Sequence, residues 1–305
     1  MFNLDTPVSE LLSFLGTTNY DEKWLNKQKN TLNNFYESKN LFLKKLNFII
    51  ITKIDSKDRL ENIKTSIDFL NFHFKNKILV CEYDKKSNIN FNGNYSKILI
   101  EPVSEGFWRN YAANKVYELL VTDVIFNIES DVLFDPQSIK ESYDTVIDGT
   151  NKLCMPFDGI PIWMNQKTTQ TFKKTKKLPE IWKDYYGLTK ILQTEVYGYL
   201  SNTLTFHPGF CYMLKIDTFK KMGMENQNFI KHGWEDVERL IRAHKLGIDI
   251  EYNTGVCYHL YHPRNIKNNY YNKDFKNQEE CLKVANMQHN EIIEYIEDLK
   301  KIAAK

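Results

Sequence analysis

The sequence predicts an α/β fold: a mainly parallel central sheet flanked by helices, with a helical arm ahead of it and a helix behind it. Three observations predict this. Beyond residue 45, apolar runs of strand length alternate with amphipathic stretches of helix length. Their order reads βαββαβα, and strands joined through helices lie parallel. Hydrophobic residues make up 42% of the 305 and charged residues 26%, the balance of a globular chain rather than a disordered one.

Residues 1–44 are polar with scattered apolar positions such as Leu11, Leu12, Phe14 and Leu15, and read as one or two short helices of a packing arm. Leu46–Thr52 is an apolar run, a strand buried on both faces. Lys57–Phe74 sets Leu60, Ile63, Ile67 and Leu70 on one helical face. Ile78–Tyr83 and Lys97–Glu101 read as strands, and Glu105–Leu120 as a helix. Val124–Glu129 is the next buried strand, and Ser138–Ile147 a helix. The second half is less regular. Lys152–Met155 and Phe210–Leu214 read as strands, Leu178–Leu200 holds much helix, and the Lys/Thr-rich stretch Lys167–Lys177 reads as a loop. Glu235–Leu246 is helical, with Val237, Leu240, Ile241 and Leu246 apolar. Asp249–Tyr252 and Val256–Leu260 are short strands. Gln278–Lys300 is an amphipathic helix with Cys281, Val284, Ile292, Tyr295, Ile296 and Leu299 near one face. That face is expected to pack on its own domain, with a homo-oligomer contact as the alternative. No repeat or low-complexity linker interrupts the chain. The expected organisation is an arm over 1–44, one domain over 45–265 and a C-terminal helix within 266–305.

Lys and Arg number 41 against 39 Asp and Glu, a net charge of +2. No strong field exists to hold a nucleic acid or an anionic membrane. The five cysteines, Cys81, Cys154, Cys211, Cys257 and Cys281, are odd in number, widely spaced and without a C-x-x-C pair. This argues against a disulfide framework or a structural zinc site, and a reducing compartment fits best. The longest apolar run, Phe48–Ile51, falls far short of the ~18 residues of a membrane span. The start, MFNLDTPVSE, lacks the basic and apolar pattern of a secretory signal, so a cytoplasmic or otherwise soluble intracellular location is expected.

Four stretches carry chemistry. Glu129-Ser130-Asp131 follows a buried strand, at the carboxyl end of the sheet where open α/β folds bind ligands. In an extended chain residues i and i+2 point the same way, so two carboxylates would converge, and a divalent cation such as Mg²⁺ or Mn²⁺ would relieve their repulsion. Gly233-Trp234-Glu235-Asp236 opens a helix, where acids are favoured by the dipole and can also accept a proton from a substrate hydroxyl. Trp234 offers an aromatic face to a sugar ring. Tyr258-His259-Leu260-Tyr261-His262 supplies imidazoles that suit Mn²⁺. His259 and His262 are not expected to face the same way on a strand, so one of the two is expected to be the ligand. Arg109 near a helix N-terminus is placed for phosphate oxygens. Glu82 at the end of the second strand is placed either to accept the imide hydrogen of uracil or to face water.

Taken together, these stretches resemble the nucleotide-sugar glycosyltransferases of the GT-A fold, whose sheet is Rossmann-like. Thr122–Val132 is similar to their D-x-D strand, with Glu129 in place of the first Asp. His207–Leu214 through Phe219 and Gly223 resembles their acceptor-side glycine-containing stretch. Gly233–Leu246 with His259 is similar to the C-terminal galactosyltransferase signature W-G-x-E-D, R and H, without the Gly-Gly that usually stands between Trp and Glu. The likeness covers about residues 45 to 265.

The resemblance implies a hexosyltransferase that moves a sugar from a nucleotide diphosphate, UDP being the expected nucleotide. The acceptor is a hydroxyl of a glycan, protein or small molecule, and the expected displacement is single and inverting. It implies Glu129, Asp131 and one of His259 and His262 around Mn²⁺ or Mg²⁺. Asp236 is the implied base, with Glu235 beside it on the acceptor or as the base itself. Thr52, Asp55, Glu82, Arg109 and Ser130 line the implied donor site, and Gly209 and Trp234 the acceptor site. Two other readings compete: a non-catalytic carbohydrate-binding protein on the same fold, and a sugar nucleotidyltransferase. The second would want a glycine-rich loop after the first strand, where this chain reads Thr52-Lys53-Ile54-Asp55-Ser56-Lys57.

Overall fold

A computed structural model of the chain describes residues 1–15, 38–103, 106–159, 161–177, 207–230, 233–263 and 275–304. The helix expected over Leu178–Leu200 and most of the N-terminal arm lie outside the described residues.

Strand β1 (Leu46–Thr52) forms where the apolar run predicts it, and Phe48, Ile49 and Ile50 are fully buried. Ser56 accepts a hydrogen bond from the Arg59 amide and so starts α2 (Lys57–His73). β2 (Lys77–Tyr83) and β3 (Ser96–Ile100) follow. The next helix, α3 (Arg109–Tyr117), is shorter than the pattern predicts: Gly106 has φ +89° ahead of it. β4 (Val124–Ile128) is buried at every position. A turn leads to β5 (Val132–Phe134), which the sequence pattern did not reveal. Asp135 and Pro136 then open α4 (Pro136–Asp148), with the Asp135 carboxylate on the Ser138 amide at 2.6 Å.

β6 (Lys152–Met155) and β7 (Pro161–Trp163) precede α5 (Gln166–Thr175). This helix stands where a loop was expected. Asn165 caps its first turn, Thr169 and Phe172 pack inward, and Lys176 ends it in the left-handed region at φ +57°. β8 (Cys211–Lys215) runs into α6 (Ile216–Lys221). α7 (Glu235–Lys245), β9 (Asp249–Tyr252) and β10 (Cys257–His259) follow. The C-terminal segment is two helices rather than one, α8 (Phe275–Asn286) and α9 (His289–Ala303). Between them Gln288 is extended and exchanges hydrogen bonds with Glu291, a reciprocal cap that restarts the helix. Their apolar face, with Cys281, Val284, Ile292 and Leu299 buried, packs on α7 and α3 of the same chain.

The main sheet has the order β3-β2-β1-β4-β8-β6-β9. All its neighbours are parallel except β8, which is antiparallel to both β4 and β6. A second sheet, β5-β10-β7, is built from the chain just beyond β4 and from the segment that carries His259. The fold is therefore α/β with a mostly parallel sheet flanked by helices. One hydrophobic cluster joins Leu11 and Leu12 of the arm, in or just after the helical turn α1 (Val8–Leu11), to the sheet and to Leu299 of α9. All five cysteines are free and buried. Among the described residues, no helix is long and apolar enough to cross a membrane.

Candidate active site

Strand β4 stops at Ile128; the Glu129 amide still donates to the Phe210 carbonyl at 2.9 Å, and Ser130 and Asp131 form a turn. That turn undoes the i, i+2 argument. Glu129 lies 3.4 Å from Arg109, whereas Asp131 lies 3.2 Å from His262. The Ser66 hydroxyl fixes the turn by donating to the Ser130 carbonyl at 3.1 Å.

Asp131 is buried, at 2% exposure. Its Oδ2 lies 3.2 Å from His262 Nε2 and 3.4 Å from Arg59 Nη1, and its Oδ1 lies 3.8 Å from His259 Nε2. Burial alone would raise the carboxyl, but His259, His262 and Arg59 outweigh it and hold it well below the usual carboxylate range. Both imidazoles reach Asp131, contrary to the expectation that only one faces the site. The physical reason is that β10 ends at His259. The Leu260 amide then donates to the Asp131 carbonyl at 2.8 Å, and the Tyr261 amide to Thr169 Oγ1 at 2.9 Å. Asn62 holds the Tyr261 carbonyl at 3.1 Å, so the chain bends and brings His262 back.

One ligand atom each from Asp131, His259 and His262 lies within 4.8 Å of the others. One carboxylate oxygen and two imidazole nitrogens are a donor set that fits a divalent transition cation. Two nitrogens suit Mn²⁺ better than Mg²⁺, which favours oxygen. Glu129 is not in this group. It meets Arg109 at 3.4 Å.

Arg109 opens α3 and is buried. It also lies 3.8 Å from Asp236 Oδ1 and donates to Asn127 Oδ1 at 3.3 Å. Three protein acceptors thus face the guanidinium that sequence reasoning assigned to phosphate oxygens. Asp236 sits in the first turn of α7, and Arg239 one turn on donates to its Oδ1 at 2.7 Å. The other oxygen presses on Gly209, where an added Cβ would come within 2.6 Å of Oδ2. Any other residue at 209 would push the carboxylate aside. Glu235 turns back instead, and its Oε2 accepts from the Gly233 amide at 2.5 Å.

The entry to α7 is strained. Trp234, half-buried, has φ +71° and Phe210 has φ +77°, values that bulky side chains rarely adopt. Each costs about 1–3 kcal/mol, and such positions gather at functional sites. Phe210 also links the two groups of side chains. Its ring stacks on His207 at 4.0 Å and meets His259 edge-on at 5.6 Å, while its neighbour Gly209 touches Asp236. Trp163 of β7 lies against the His259 ring at 4.1 Å.

The other sequence-predicted residues stand at the carboxyl ends of β1 and β2. Thr52 is buried, and its hydroxyl has no hydrogen-bond partner among the described residues. Asp55 pairs with Arg59 at 3.1 Å. Glu82 departs from the expectation of either a ligand or water. It is fully buried, and its two oxygens accept from the Ser87 hydroxyl and the Asn88 amide, each at 2.7 Å. It ties down its own loop. Sequence reasoning missed Arg59, Asn127, Tyr212, Glu225 and Arg239. Two of them were within reach, since Asp55, just ahead of α2, is spaced i, i+4 from Arg59, and Asp236 and Arg239 are spaced i, i+3 on α7.

No family model matches the chain, and no curated protein does. Among solved structures it is similar to glucosyl-3-phosphoglycerate synthase from Mycobacterium tuberculosis in complex with Mn²⁺, UDP and phosphoglyceric acid. Identity there is 12% over 84% of this chain and 82% of that one, with a TM-score of 0.46. The same enzyme with Mn²⁺, UDP and glucosyl-3-phosphoglycerate gives 13% over 81% and 80%, with a TM-score of 0.42. A mycobacterial protein gives 12% over 86% and 74%, also with a TM-score of 0.42. Likenesses this distant say nothing of what this chain binds or transfers.

Proposed function

We propose that the chain is a metal-dependent glycosyltransferase of the GT-A kind, moving a sugar from a nucleoside diphosphate, UDP, to an acceptor hydroxyl with inversion. One observation carries the reading. The Asp131–His259–His262 group and the Asp236 carboxylate border the same short segment, Gly209–Phe210, beyond the carboxyl end of β4. A cation group beside a fixed carboxylate is what activated sugar transfer needs.

Asp131, His259 and His262 hold the cation in this reading, with Mn²⁺ preferred over Mg²⁺. When bound, the cation takes up negative charge on the leaving diphosphate as a Lewis acid. Thr52, with its unsatisfied hydroxyl, and Asp55 line the nucleoside side, with Ser130 in the turn between. Trp234 offers its half-buried face to the acceptor, beside Gly209. Asp236 takes the proton of the acceptor hydroxyl. The acceptor oxygen bonds to the anomeric carbon, and the bond from that carbon to the diphosphate oxygen breaks with its electron pair leaving on the diphosphate. Asp236 rather than Glu235 is the base in this reading, because Asp236 is partly exposed beside Gly209 while Glu235 is buried, with one oxygen on the Gly233 amide. Glu129 serves here as the partner of Arg109, outside the cation group.

The test is a panel of nucleotide-sugars read by release of free nucleoside diphosphate, with Mn²⁺ and with a chelator. The wild type is expected to release UDP only with the metal. Asp236→Asn is expected to bind donor normally and lose about 100-fold or more in kcat. Full activity in that variant removes Asp236 as the base. Metal-independent binding of free glycan without turnover would instead favour a carbohydrate-binding protein.

A further inference from the structure

Behind Asp236 lies a set of side chains that the proposed chemistry does not use. Arg239 is 2% exposed. Its Nε and Nη2 donate to Glu225 Oε2 at 3.2 and 3.1 Å, and its guanidinium lies over the Tyr212 ring at 4.3 Å. The Tyr212 hydroxyl donates to Glu225 Oε1 at 2.5 Å. Glu225 is itself held, its amide on Asn114 Oδ1 and its carbonyl on Asn114 Nδ2, both at 2.9 Å. Glu225 and Tyr212 thus grip the guanidinium from two sides and leave Nη1 aimed at Asp236.

We infer that Arg239, clamped by Glu225 and Tyr212, is a positioning residue that fixes the Asp236 carboxylate against Gly209; this rests on the reading of Asp236 as the base. A planar guanidinium with two directions already committed can present its third donor in only one place. On the far side the Gly209 backbone closes the space. The carboxylate is held from both flanks, which keeps Oδ2 turned away from the ion pair. Stability alone does not account for the arrangement, because a buried ion pair is often no better than apolar packing of the same volume. The same helix supplies a comparison. Arg242 and Glu238 form a second buried pair at 2.8 Å, but Arg242 bonds the carbonyls of Met222 and Met224 and none of the bonds described for this pair reaches Asp236.

The experiment measures steady-state transfer by the full chain, with the nucleotide-sugar that the donor panel identifies, in wild type, Glu225→Gln, Arg239→Lys and Glu238→Gln. Glu225→Gln and Arg239→Lys are expected to lower kcat by about 100-fold, the effect of a misplaced catalytic group. Their donor KM stays within about twofold, and Glu238→Gln keeps the wild-type kcat. Should a buried-charge variant fail to fold, Tyr212→Phe removes the hydroxyl that Glu225, Tyr117 and Asn127 share, keeps the ring under Arg239, and carries the same expectation. Unchanged kcat in the clamp variants, or an equal loss in Glu238→Gln, overturns the positioning role while leaving the transferase reading intact. A wild type that turns over no donor at all overturns the transferase reading, and the positioning role falls with it.

Discussion

Glu129 and Asp131 are two residues apart, yet the turn after Ile128 sends one to Arg109 at 3.4 Å and the other to His262 at 3.2 Å. The consequence is measurable. Mn²⁺ binding, followed by electron paramagnetic resonance of the free ion, is expected to weaken by about 100-fold in Asp131→Asn. In Glu129→Gln it is expected to weaken by much less than in Asp131→Asn, because the proposed cation group is Asp131, His259 and His262. Equal losses in both variants would return Glu129 to the cation group. At this scale the residue types were legible, because a carboxylate, two imidazoles and a helix-opening acid each announce a chemistry. The geometry was not. The i, i+2 rule holds only inside a strand, and nothing in the sequence says that β4 stops one residue before Glu129. Glu225 was invisible for a further reason: it reaches Arg239 through a loop, with no fixed spacing to reveal it.

At the scale of elements, the strands of the first half follow the apolar pattern closely, since a strand buried on both faces leaves an unbroken apolar run. Helix ends are where the pattern fails. The segment 167–177 is so rich in lysine that its two inward positions, Thr169 and Phe172, do not stand out as a helical face. The C-terminal break at Gln288 depends on a side-chain cap rather than on Gly or Pro. Helix α4 carries a pH dependence of its own. Burial pushes the Asp135 carboxyl up to about 7, and its Oδ1 has no hydrogen-bond partner while Oδ2 caps Ser138. The folded value lies above that of the unfolded chain, about 3.9. The protonated carboxyl therefore favours the fold fully below about pH 4, and that contribution fades as pH rises through about 7. Asp135→Asn keeps a capping oxygen and cannot ionise. Its thermal midpoint is expected to fall less than that of the wild type between about pH 5 and about pH 8. Identical slopes in the two proteins would contradict this account of Asp135.

At the scale of the whole molecule, two sheets meet at one place. β4 belongs to the main sheet, β5 and β10 to the small one, and the segment 129–131 is the short link between β4 and β5. The antiparallel β8 brings Gly209–Phe210 to the same end, because its register sets Cys211 beside Ile128. Distant parts of the chain, from Arg59 to His262, are thus gathered by topology, which explains why pairing of the candidate groups could not be read from spacing alone. The parallel rhythm was legible; the crossover that inserts β8 between β4 and β6 was not, as no local pattern encodes strand order. In the proposed function that gathering makes one nucleotide-binding, cation-dependent cleft. The most direct measurement is calorimetric titration of UDP into the full chain, with and without Mn²⁺, in wild type and in Asp131→Asn. Binding by the wild type only in the presence of Mn²⁺, lost in Asp131→Asn, is the predicted result; UDP binding that ignores both the metal and the substitution would contradict it.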